Sequence, residues 1–149
     1  MMKKHINTVI KLGAMMLFNN ANKDVIKLGE HMTDTGTDNE TEAGFWIWDV
    51  SGNEKMYYSP KMVHELGYDY DTWEHVEGSF MKYMLPIDLK ASITKTKEML
   101  EQKEHDPFIN IVNYKCADGS VKTFNCSGSI IFDKDDNPMF IIGTHKFYK

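Results

Sequence analysis

The sequence predicts an α+β fold: an antiparallel sheet with its helices gathered on one face. Three observations carry this. Two short apolar runs near residues 45–58 precede a stretch with helical punctuation, three longer alternating runs close the chain, and polar turn clusters separate them. At 149 residues, the chain has the length of one ordinary domain able to bury its own core.

Taken in order, residues 3–32 carry Ile6, Val9, Ile10, Gly13, Met16, Leu17, Val25 and Leu28 at helical spacing, with Lys and Asn between them. This predicts one amphipathic helix, or two with a break near Asn19 and Asn20. Its apolar stripe must be buried, against its own domain or against a partner. Residues 33–43, polar and acidic, read as a linker. The main domain is then expected over residues 44–149.

A strand is expected over residues 45–50, a turn at Ser51-Gly52-Asn53 and a second strand over 55–58. Ser59-Pro60 marks a helix start with Ser59 as cap, running to Leu66 and stopped by Gly67. A helical turn is expected at 71–74. Leu85-Pro86-Ile87-Asp88 leads into a longer helix over 88–103, with Leu89, Ile93 and Leu100 on one face and Thr96 between them. Strands are expected over 108–115, 121–133 and 139–147, separated by Asp118-Gly119 and Asp135-Asp136-Asn137.

Composition narrows function. With 42% hydrophobic and 26% charged residues the chain reads as soluble and globular. A formal charge of -5 and the absence of Arg argue against a nucleic-acid groove. Lys3 and Lys4 before an apolar stretch superficially suggest an export signal, but Lys11 interrupts it and Asn19, Asn20 and Asn22 follow, so a cytoplasmic protein is expected. No run reaches the roughly 20 apolar residues of a membrane span. Cys116 and Cys126 have neither metal-pair nor secreted-framework spacing and are expected as reduced core thiols. His64 and Glu65 form no zinc-hydrolase pair, and no metal is expected. No nucleophile–base pair or Gly-rich phosphate loop is evident, so an enzyme is not expected.

The ordered signatures GFWIWD, YYSPKMVHELGY, MLPIDL, YKCADGS and FIIGTHKF resemble a PAS sensory domain, of the variety with W-x-W-D, LGY, PxDL and DGS motifs. The resemblance implies a five-stranded antiparallel sheet, with the tryptophan face of the first strand looking into a helix-covered cavity. Trp46 and Trp48 then wall the pocket, with Tyr58 and Met81 beside them, while Phe45 and Ile47 face outward. Asn113 and Asn125 sit where flavin-binding light-oxygen-voltage domains place two asparagines, and His145 where those domains place a glutamine. Regular strand alternation, with Phe124, Cys126 and Ile130 on the opposite face, leads us to expect Asn113, Asn125, Ser127 and Ser129 to face inward.

Departures limit the cofactor. Met81 replaces the photoreactive cysteine, the phosphate-gripping Arg residues are missing, and the helix over 88–103 has no haem-ligating histidine, His75 and His105 lying outside it. Flavin and haem are therefore disfavoured, and a small aromatic or heterocyclic ligand is the expected occupant. The chain's last residues, His145 to Lys149, lack the D-x-T ending that precedes an output domain, so a stand-alone module acting in trans is expected. The implied function is a non-catalytic sensor that signals through a homodimer or a partner protein, using Ile6, Val9, Ile10, Leu17, Phe45 and Ile47 as contact surface. The alternatives are a ligand-free interaction module and a flavin-dependent redox sensor.

Overall fold

A computed structural model describes residues 24–33 and 42–148. Its centre is a five-stranded antiparallel sheet in the order β2-β1-β5-β4-β3. The strands are β1 (Glu42–Asp49), β2 (Met56–Tyr58), β3 (Phe108–Lys115), β4 (Val121–Phe132) and β5 (Pro138–Phe147). Helices α2 (Pro60–Glu65), α3 (Glu77–Tyr83) and α4 (Pro86–Gln102) follow β2 in the chain, while α1 (Val25–Thr33) precedes the sheet.

Two apolar clusters divide the molecule. Trp46, Met56, Tyr58, Phe80, Val112, Tyr114, Phe124 and Ile141 belong to the cluster that joins the sheet to the helices after β2. Phe45, Ile47, Tyr57, Phe140 and Ile142, from the opposite sheet face, pack with Val25, Leu28 and Met32 of α1. The i, i+3, i+7 spacing of those three α1 residues makes one stripe, and the stripe lies on the sheet. Close approach there depends on Gly29, since a Cβ would lie 2.1 Å from the Tyr57 ring. Phe45 and Ile47 are thus buried beneath the chain's own α1, at 2% and 0% exposure, which corrects their expected place on a contact surface. Ile6, Val9, Ile10 and Leu17 lie outside the described residues.

Local chemistry refines several boundaries. β1 begins at Glu42, inside the stretch expected as linker, because its backbone continues to pair with β5 past Gly44. Ser59 has extended N-cap geometry before Pro60, but its hydroxyl does not cap α2. It instead accepts the Phe45 N–H at 3.0 Å, satisfying a backbone donor of β1. The turn expected at 71–74 is a 3-10 turn at Tyr70–Thr72. α3 was not expected. Its only buried side chain is Phe80, so it carries no readable apolar stripe.

Helix α4 starts at Pro86, where the missing N–H loses no bond, and ends at Lys103 in the left-handed conformation. Its inward positions include Ser92, Thr96 and Met99, while Ile93 is 39% exposed rather than part of the packed face. The Asp88 carboxylate accepts from the Asn113 backbone N–H at 3.2 Å and side-chain Nδ2 at 2.9 Å, fastening α4 to the free edge of β3. Among the described residues, no helix is long and apolar enough to cross a membrane.

Candidate functional site

Side-chain alternation along the strands sends Trp46 and Trp48, Met56 and Tyr58, Phe108 to Tyr114 at even positions, and Cys126 toward the helices. Together with His145 and with Phe80, Met84, Ser92, Lys95 and Thr96 they enclose a cavity of about 40 Å³. The polar residues Ser92, Lys95, Thr96 and Asn110 stand where α4 meets β3, and Asn110 Nδ2 donates to Ser92 Oγ at 3.3 Å across that seam. The opposite end is closed by Tyr58, Tyr114 and His145.

A row across four strands shapes the middle. Trp46 pairs with Gly143, Gly143 with Gly128, and Gly128 with Phe108. The two glycines leave the sheet bare, and the Trp46 indole lies over them toward Phe108, ring centroids 6.4 Å apart. A Cβ on Gly143 would come within 2.7 Å of the indole and 2.0 Å of the Ser127 carbonyl oxygen; one on Gly128 would come within 2.8 Å of the Phe108 ring. Trp48 is held differently, its Nε1–H donating to Glu77 at 2.7 Å while its ring meets Phe80 edge-on.

At the closed end, Tyr58 Oη and Tyr114 Oη are 2.5 Å apart and Tyr114 Oη lies 3.2 Å from His145 Nε2. His145 is 1% exposed. Burial pushes its pKa down to about 3, so the ring is neutral near pH 7. Burial also pushes the Cys126 thiol up to about 12, against the smaller opposing effect of a hydrogen bond from the Trp46 indole N–H, and raises both Tyr58 and Tyr114. The closed end of the site is therefore uncharged. His145 Nδ1 is buried without a hydrogen-bond partner.

Of the residues singled out from sequence, Trp46, Trp48, Tyr58 and His145 meet around this cavity; Asn113, Asn125 and Met81 do not. The inward orientation expected for the asparagines is corrected. Val112, Tyr114, Phe124 and Cys126 occupy the inward positions, so Asn113 and Asn125 point to the other face. Asn113 is engaged there with Asp88 and Thr123. Ser127 and Thr144 likewise meet on the outer side, their hydroxyls 3.1 Å apart. Met81 is 39% exposed because Phe80 takes the inward position on α3 and the next residue turns away by about 100°. Tyr114, Phe108, Asn110, Cys126 and Phe80 were missed. The alternation anchored on Val112 and Phe124 was the signal that could have found all but Phe80.

His75 lies outside this cavity. It stacks on Tyr57 at 4.8 Å, and burial lowers its pKa against an opposing effect of Glu30 on α1. Cys116 and Cys126 are both free and buried. Among the described residues, no three His, Cys, Asp or Glu side chains converge as a metal site.

A sheet of this order, helices along one face and a cavity between them define a sensory-domain architecture of the PAS type. The description of the PAS fold family matches residues 55–145, more than half of the chain, and the chain belongs to that family. Among solved structures, a sensory-box histidine kinase/response regulator from Burkholderia thailandensis is 19% identical with a TM-score of 0.55, covering 68% of this chain and 73% of that one. A light-oxygen-voltage domain studied with a flavin analogue is 16% identical, TM-score 0.59, covering 83% and 85%. The Cycle PAS-B domain of Drosophila melanogaster with bound ethylene glycol is 14% identical, TM-score 0.55, covering 70% and 99%. At these identities the likeness is one of fold. No curated protein sequence matches the chain.

Proposed function

We propose that this protein is a non-catalytic sensory or regulatory module that binds a small molecule between the sheet and helices α3 and α4, and acts on a second copy or a partner protein in trans. The observation that carries this reading is the cavity itself, polar at the α4–β3 seam and ending at an uncharged Tyr58–Tyr114–His145 cluster. Catalysis is disfavoured by the same groups. A thiol held protonated near 12 is a poor nucleophile, and an imidazole held near 3 is a poor base at neutral pH.

Strand β1 offers the route outward. Trp46 and Trp48 face the cavity, while Phe45 and Ile47 on the same strand face α1, so movement of the indoles reaches α1 through one backbone. A cytoplasmic homodimer responding through α1 is the arrangement we favour. A flavin or haem does not fit this conformation, because about 40 Å³ is far below the ~300–1,000 Å³ of sites for ligands of that size.

The smallness of the cavity also favours a second reading, a ligand-free interaction module whose interior is filled by its own side chains. Native mass spectrometry of the purified protein, compared with small molecules released on denaturation, separates the two. A retained small molecule, or a thermal shift within a metabolite panel, supports the sensor; neither would leave the interaction module.

A further inference from the structure

The hydrogen bonds at the closed end do not balance within the protein. A neutral imidazole has one N–H and one acceptor nitrogen, and each tyrosine hydroxyl donates once. If Tyr58 donates to Tyr114 and Tyr114 donates to His145 Nε2, every hydroxyl hydrogen is used and the single remainder is the His145 Nδ1–H. In the opposite tautomer, Nε2–H donates to Tyr114, and either the Tyr58 or the Tyr114 hydrogen is left over together with a bare Nδ1. The first arrangement leaves one group unmet rather than two. The Trp46 indole N–H, whose ring centroid lies 6.3 Å from that of His145, has the Cys126 thiol as its partner. A donor left unmet at this depth is costly, so the His145 ring, which lines the cavity, points to an occupant.

We propose that the cavity recognises a small uncharged molecule through one acceptor oxygen, a carbonyl or hydroxyl oxygen, held by His145 Nδ1–H. Such an oxygen supplies the lone pair that the Nδ1–H lacks. The molecule is uncharged because the deep end offers neutral groups alone, and the nearest lining cation, Lys95, stands on α4 at the seam with β3. Its remaining atoms are few and apolar, since Met56, Phe80, Met84 and Val112 line the space and about 40 Å³ admits little more than a few heavy atoms without side-chain movement. A cavity that exceeds the ~10–15 Å³ needed for a water makes water the competing occupant.

This inference rests on the sensor reading, and its test is arranged to fail separately. The full chain, labelled with nitrogen-15 in its indoles and imidazoles, is titrated with cyclopentanone and with 2-butanone, using cyclopentane as the acceptor-free control and acetate as the charged one. The expected result is a saturable shift of the Trp46 indole N–H and His145 ring-nitrogen resonances with the ketones, at least tenfold tighter than with cyclopentane and absent with acetate. His145→Phe is expected to weaken ketone binding about tenfold and to erase the preference for ketone over cyclopentane. Equal binding of ketone and cyclopentane overturns the oxygen-recognition proposal and leaves the sensor reading standing. Unmoved indole and imidazole resonances show that water alone occupies the site and overturn the proposal, even if the variant fails to fold. If, in addition, no molecule co-purifies with the protein and no thermal shift appears within a metabolite panel, the sensor reading fails with it.

Discussion

His145 makes the molecule sensitive to acid through burial. Its folded-state pKa of about 3 lies below the ordinary value of ~6.5, so the unfolded chain takes the proton first. The stabilising contribution of the neutral ring is complete above about pH 6.5 and is lost as pH falls toward 3, at up to ~1.4 kcal/mol per unit. Urea titrations at pH 6 and pH 4 are expected to show about 2 kcal/mol more loss in the native protein than in His145→Phe, and parallel losses in the two would refute the assignment. Gly143 is the second residue with a sharp outcome. Gly143→Ala forces a methyl against the Trp46 indole and the Ser127 carbonyl, and backbone cannot yield as a side-chain tip can. We expect about 1–3 kcal/mol of destabilisation, with altered tryptophan emission, from urea unfolding followed by fluorescence. A neutral substitution would mean the indole does not lie on the glycines.

At the scale of elements, Gly29 sets two effects against each other in α1. Gly29→Ala gains about 1 kcal/mol of helix propensity, but its Cβ would lie 2.1 Å from a Tyr57 ring that is wholly buried, stacked by His75 and hydrogen-bonded by Tyr70. Overlap of that kind costs more than the propensity returns. Hydrogen exchange across residues 24–33 is therefore expected to quicken while β4 and β5 stay protected; unchanged exchange in α1 would show the close contact to be dispensable. The strands, α2 and α4 were legible because period-2 alternation and the Ser-Pro and Leu-Pro starts have local causes. α3 was not, with Gly78 in it and only Phe80 buried. The facing of Asn113 and Asn125 was legible in the alternation with Val112 and Phe124, but the expectation of a flavin-like polar wall reversed it. The Tyr58–Tyr114–His145 cluster was beyond reach, because only the register that sets Cys126 beside His145 brings β2, β3 and β5 side chains together.

For the whole molecule, the covering of both sheet faces changes what truncation does. Removing residues 1–33 takes α1 away from Phe45, Ile47, Tyr57, Phe140 and Ile142, leaving an apolar surface of the kind that drives association. Light scattering of the truncated protein is expected to show larger species than the full chain, with increased binding of a hydrophobic dye; a well-behaved monomer would mean α1 is not the cover. The slot formed by Gly143 and Gly128 carries a consequence of its own. The bare strip of sheet is a mould cast in the shape of a bicyclic ring, and the protein fills it with a ring attached to its own backbone. Trp46→Ala would leave that mould open, so free indole added to the variant should restore thermal stability that it does not add to the native chain. The domain would then be a receptor whose natural plug had been exchanged for a diffusible one.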